Sequence, residues 1–169
     1  ERRALQSLWQ AEEEATKHRV AESAREAETQ QRERHSQAEG LLAAADRIAN
    51  PEEALKLCDQ ALVMDPGYPQ IHDKRGRLLR ALSRPGEALA AFEKALELDP
   101  EYVQAHVNRG ALLQAQGLPE PALEAFDRAL TLVSSAAKSG RQIYTVGNGG
   151  SAAIADHLCC DFTKGTYAD

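Results

Sequence analysis

Apolar side chains between residues 35 and 136 follow two periods at once. Ala88, Leu89, Phe92, Ala95 and Leu96 fall at i, i+1, i+4, i+7 and i+8, which gathers them on one face of a helix. The set then recurs at a step of 34 residues. Pro51, Pro85 and Pro119 share a column, as do Ala54, Ala88 and Ala122, and Leu55, Leu89 and Leu123. Cys58, Phe92 and Phe126 form another, followed by Ala61, Ala95 and Ala129, then Leu62, Leu96 and Leu130. Two helices fit in each period, so the pattern predicts three helical hairpins over 35–68, 69–102 and 103–136.

Each column has a physical reason. The small residues Ala88 and Ala95 let two helices approach closely, and Phe92 fills the space between them. Gly76 and Gly110 sit inside predicted helices at a cost of about 1 kcal/mol each relative to alanine. Close packing against the second helix of the hairpin accounts for them. Asp65-Pro66 and Asp99-Pro100 end hairpins, because the residue before proline is pushed out of helical geometry. Ser83-Arg84-Pro85-Gly86 and Gly117-Leu118-Pro119 read as turns within hairpins, with proline placed to start the next helix.

These columns resemble the tetratricopeptide repeat, on Gly76, Ala88, Phe92, Ala95 and Pro100 and again on Gly110, Ala122, Phe126 and Ala129. The first repeat departs from the signature, with Leu42 in the glycine column and Cys58 in the aromatic one. The resemblance implies a mainly α chain whose centre is an α-solenoid of three hairpins. It also implies a concave groove, lined by the first helix of each repeat, that takes a protein or peptide partner. The groove positions are Gln70, Asp73, Lys74, Arg77 and Arg80 in one repeat. In the next they are Gln104, Val107, Asn108, Ala111 and Gln114. Some members of the family hold a peptide's terminal carboxylate with lysine and asparagine. Asp73 and Arg77 stand at those positions here, which argues against that ligand. Lys74, Arg77 and Arg80 would suit an acidic peptide, against the alternative of a solvated helix face.

Ahead of the repeats, residues 10–39 are polar or alanine apart from Val20, with no proline or glycine before Gly40. Acid-before-base pairs Glu13–Lys17 and Glu28–Arg32 at i, i+4, and Glu22–Arg25 at i, i+3, support a long charged helix. Residues 1–34 are therefore assigned to a helical extension. It lacks the apolar seam of a coiled coil. Leu5, Leu8 and Trp9 make a small apolar cluster at its start.

After Gly140 the pattern changes. Gln142–Val146 is rich in β-branched and aromatic residues, as a strand is, and Ala152–Phe162 reads as a helix. Between them lies Gly147-Asn148-Gly149-Gly150-Ser151. Glycines let backbone approach a ligand, and the helix start offers N–H groups to an anion. Gly147-x-Gly149-x-x-Ala152 fits a dinucleotide fingerprint only weakly, and no Gly-Lys-Ser/Thr of a Walker loop is present. The run Gly147–Ala153 with His157 and Asp161 more closely resembles the opening of the sugar-isomerase (SIS) fold, in particular the sedoheptulose 7-phosphate isomerases. That resemblance implies a truncated strand–loop–helix of an α/β domain over 137–169. It implies sugar-phosphate binding by Asn148, Gly149, Gly150 and Ser151, and a metal, usually zinc, on His157 and Asp161. The later loops and catalytic residues of that family have no counterpart here, so catalytic residues are unassigned and turnover by this chain alone is not expected.

Composition narrows the partners. Of the residues 43% are hydrophobic, only 5% aromatic and 27% charged, a balance that favours helices. The net charge of -6 gives no electrostatic reason to expect nucleic acid or an anionic membrane. Three cysteines, two of them adjacent, make no disulfide framework, which suits a reducing, cytoplasmic setting. No apolar stretch reaches membrane-spanning length. The resulting expectation is an interaction scaffold attached to the start of an isomerase domain. The alternatives are a metal-dependent isomerase with the repeats as accessory, and a purely structural rod.

Overall fold

The computed structural model describes residues 2–138. They form six helices: α1 (Arg2–Arg47), α2 (Pro51–Met64), α3 (Pro69–Ala81), α4 (Pro85–Leu98), α5 (Val103–Ala115) and α6 (Pro119–Lys138). No strand occurs among the described residues. The predicted strand over 142–146 and the helix over 152–162 lie outside them. The chain divides into two units, Glu1–Arg128 and Ala129–Asp169. The first holds α1 to α5 and the first half of α6. Of the second, the described part is the end of α6.

No helix end falls at residue 34. The charged extension and the first helix of the first repeat are a single helix of 46 residues, roughly 70 Å long at 1.5 Å per residue. Nothing between His35 and Arg47 breaks it, since Gly40 alone is too weak a breaker and sits on an exposed face. Residues 12–34 are exposed throughout, and Glu13 and Lys17 pair at 2.6 Å. Trp9 is 65% exposed. Packing begins at Ala38 and Ala45, which are buried against Ala54, Cys58 and Ala61 of α2 and Ile71 of α3.

The hairpins close through a glycine–phenylalanine interlock. An added Cβ at Gly76 would lie 2.6 Å from Phe92 Cε1, and at Gly110 2.8 Å from Phe126 Cε1. No real Cβ tolerates such distances, so the ring of the second helix occupies the space a side chain on the first would need. The first hairpin reverses the sizes: Leu42 takes the glycine column, and Cys58 takes the aromatic column and is fully buried. The two departures from the repeat signature therefore offset each other in volume. Burial pushes the Cys58 thiol up to about 11, which keeps it an unreactive small hydrophobe.

Helix ends follow the expected chemistry. Proline opens α2, α3, α4 and α6. Asn50 caps α2 by accepting from Glu52 N at 2.9 Å. Asp65 and Asp99 end α2 and α4, and their carboxylates accept from Gly67 N and Glu101 N. His72 and His106 share a column that sequence reading missed. Each Nε2 donates to the proline carbonyl six residues back, Pro66 or Pro100, at 3.0 Å, and so ties the loop between hairpins to the next helix.

The turns after α3 and α5 are matched left-handed caps. Arg84 N donates to Leu79 O and Ser83 N to Arg80 O, and Leu118 N and Gly117 N repeat both bonds on Leu113 and Gln114. The residue in the left-handed position is Gly117 (φ 76) in one turn and Ser83 (φ 57) in the other. A serine there carries a Cβ penalty that glycine does not. Ser83→Gly is expected to raise stability by about 0.5–1 kcal/mol, read as a higher urea midpoint with an unchanged m-value.

Stacking of hairpins buries the leucine column of each second helix under the next hairpin. Leu55 is buried with Leu79, Ala88 and Phe92, and the half-buried Leu89 packs against the same cluster, to which Leu112 belongs. In the last hairpin the same column, Leu123, is 61% exposed.

Candidate peptide-binding face

The first helices α1, α3 and α5 lie side by side on one flank of the array and are joined by polar side chains. Lys74 of α3 pairs with Asp46 of α1. Tyr68, at the start of α3, donates to Glu39 of α1 at 3.3 Å and packs against His35, with ring centroids 4.5 Å apart and the planes tilted by 49°. His35 Nδ1 lies 2.6 Å from the buried Asp65 carboxylate, which ties α1 to the end of α2. Between α3 and α5 the link is Asn108 Nδ2, which donates to Asp73 Oδ1 at 2.7 Å.

This arrangement sorts the sequence-predicted groove residues into two layers. Arg80 and Gln114 are exposed, and Gln70, Lys74, Arg77, Gln104, Val107 and Ala111 are half-buried. Asp73 and Asn108 are not surface groups at all; each is 1% exposed. They form a buried bridge between adjacent repeats, because each lies on the side of its helix that the neighbouring first helix covers. Arg77 Nε stands 3.1 Å from Asp73 Oδ2, near enough for an ion pair but misdirected for a hydrogen bond. Asp73 Oδ2, Arg77 Nε and Asn108 Oδ1 thus lack hydrogen-bond partners while buried.

Burial raises the Asp73 carboxyl above its ordinary range, opposed by the Asn108 hydrogen bond and the charge of Arg77. Burial likewise raises Tyr102, with Asp73 adding to the effect. Because the folded-state value of Asp73 is raised, its ionised form costs stability at neutral pH. That cost vanishes as pH falls through the raised value towards the ordinary carboxylate range. Wild type is therefore expected to gain stability relative to Asp73→Asn on acidification. Urea unfolding of both proteins over a pH series checks this, and a difference that stays flat with pH counts against it.

Among the described residues no group of three or more His, Cys, Asp or Glu side chains is placed to hold a metal ion. The sugar-phosphate residues Asn148, Gly149, Gly150 and Ser151 and the metal pair His157 and Asp161 lie outside the described residues. No described helix is long and apolar enough to cross a membrane.

The regular hairpins, the glycine–phenylalanine interlock and the repeated loop chemistry point one way, and residues 74–137 match a family model described as tetratricopeptide repeat. Over those residues the chain is similar to the tetratricopeptide repeat. Solved structures share its fold. One is MamA, 23% identical with a TM-score of 0.56, over 60% of this chain and 61% of that one. Another is the first TPR of Spaghetti (RPAP3) bound to the HSP90 peptide SRMEEVD, 23% identical with a TM-score of 0.56, over 58% of this chain and 80% of that one. The second TPR of the same protein, bound to the same peptide, is 19% identical with a TM-score of 0.60, over 65% and 97%. At these identities the likeness is one of fold. No curated protein matches this chain.

Proposed function

We propose that the tetratricopeptide array is a docking scaffold whose α1–α3–α5 face takes an extended segment of a partner protein. The observation that carries this is the layering of that face. A buried Asp73–Asn108 bridge fixes α3 against α5, and around it the exposed Arg80 and Gln114 and the half-buried Arg77 and Gln104 stand at helical spacing. The bridge holds the two helices together before a ligand arrives, which lowers the ordering cost of binding. The two Spaghetti repeats of the same fold are described with a peptide bound. The rim is polar and the surrounding surface carries both charges, so contacts of moderate affinity are expected.

A peptide array probed with the whole chain tests the proposal. Binding peptides should lose at least about tenfold in affinity, some 1.4 kcal/mol, on the paired substitution Gln104→Ala and Gln114→Ala, with the melting curve unchanged. Retention of full affinity by that variant would remove the face from consideration.

A second reading rests on sequence alone. The run Gly147-Asn148-Gly149-Gly150-Ser151-Ala152-Ala153 with His157 and Asp161 favours the start of a sugar-phosphate isomerase domain, to which the array would be joined. Zinc enters only with that resemblance. An aldose–ketose isomerase assay and metal analysis on the protein separate this reading from a scaffold without chemistry; zinc-free protein with no turnover rejects it.

A further inference from the structure

We propose that Asp73 sets the charge selectivity of the α3–α5 face and turns it away from peptides rich in carboxylates. The inference rests on the docking reading above and deepens it by naming the ligand class: an extended, uncharged peptide segment.

Three cations on this flank look from the sequence like receptors for an acidic ligand, and two of them are already engaged. Lys74 is mostly buried against Asp46. Arg77 lies over Asp73, with Nε 3.1 Å from Oδ2. Arg80 is exposed, but its charge also acts on Asp73. The Asp73 carboxylate itself is 1% exposed, so water does not screen it from above as it screens a surface acid. An incoming carboxylate would compete with Asp73 for the Arg77 guanidinium and weaken the compensation of a buried anion, a costly exchange. An uncharged segment makes no such demand. Its amides meet Gln104 and Gln114, which offer both donors and acceptors, and the Asp73–Arg77 pair stays intact.

Asp73 acts through Arg77 rather than by touching the ligand, so it is a positioning residue. A merely structural role would weaken all peptides alike when it is replaced. A charge-selective role changes the ratio between acidic and neutral peptides.

The test is a heptapeptide panel made in pairs, each acidic member matched by a version with every Asp and Glu replaced by Asn or Gln and the C-terminus amidated. SRMEEVD and its neutral counterpart form one pair. Wild type and Asp73→Asn are titrated against the panel by fluorescence anisotropy at one pH and salt concentration. Wild type is expected to bind neutral members about tenfold more tightly than their acidic partners, roughly 1.4 kcal/mol, and Asp73→Asn should abolish or reverse that preference. Should Asp73→Asn fail to fold, the wild-type ratio decides alone. Acidic members bound by wild type as tightly as neutral ones would overturn this inference and leave the docking face standing. No binding anywhere on the panel would overturn the docking reading, and this inference with it.

Discussion

Phe92→Ala should lower the unfolding free energy by about 3–5 kcal/mol. The ring is fully buried between α3 and α4, in contact with the helix at Gly76, and it shares a cluster with Leu55, Leu79 and Leu112 from three other helices. Its removal leaves a hole that Gly76, having no side chain, does not fill. A small domain is stable by only about 5–15 kcal/mol, so the loss takes a large share of the total. It also falls at the middle of the array, where two hairpins depend on it. Urea unfolding followed by circular dichroism checks the magnitude. A loss below about 1 kcal/mol, the level of an average substitution, would mean that the ring is not the wedge that closes the hairpin.

The second large effect is a coupled one. Gly76→Leu alone should cost about 3 kcal/mol, the upper end for overpacking, because even its Cβ would lie 2.6 Å from the Phe92 ring. Phe92→Cys alone should cost roughly 2–4 kcal/mol through the cavity it leaves. Together they recreate the Leu42–Cys58 combination that the first hairpin already uses. The double variant should therefore be far more stable than the sum of the singles predicts, with a coupling of about 2–3 kcal/mol. Gly40→Ala provides the control. Nothing lies within 4 Å of an added Cβ at that position, so the same kind of change there should stabilise by about 1 kcal/mol. Additive losses in the double variant would contradict the volume exchange between the two helices.

The hairpins were legible in the sequence because their determinants are local and repeated. Proline starts, Asp-Pro stops and the apolar columns each act within a single helix or turn, and a step of 34 residues displays the proline and apolar columns three times and the Asp-Pro stop twice. The glycine column was legible for the same reason, and the Phe92 and Phe126 rings supply the steric cause expected for it. Less legible was the relation between positions on different helices. Leu42 and Cys58 read as two separate departures from a signature; only packing shows that one offsets the other. Asp73 and Asn108 read as polar groove residues because their types favour water. Their burial depends on the neighbouring helix covering them, a tertiary fact with no local sign. The column of His72 and His106 was present in the sequence, but a histidine at a hairpin start has no apolar pattern to draw notice. The join at residue 34 was drawn from composition, whereas helix continuity depends on breakers, and none stands there.

The docking face is best tested by amide chemical-shift mapping of the ¹⁵N-labelled chain with the tightest peptide from the array. The account predicts that shifts concentrate on residues 70–80 and 104–114, in α3 and α5. Shifts confined to α2 and α4, around Asp59 and Lys94 on the other flank, would contradict it.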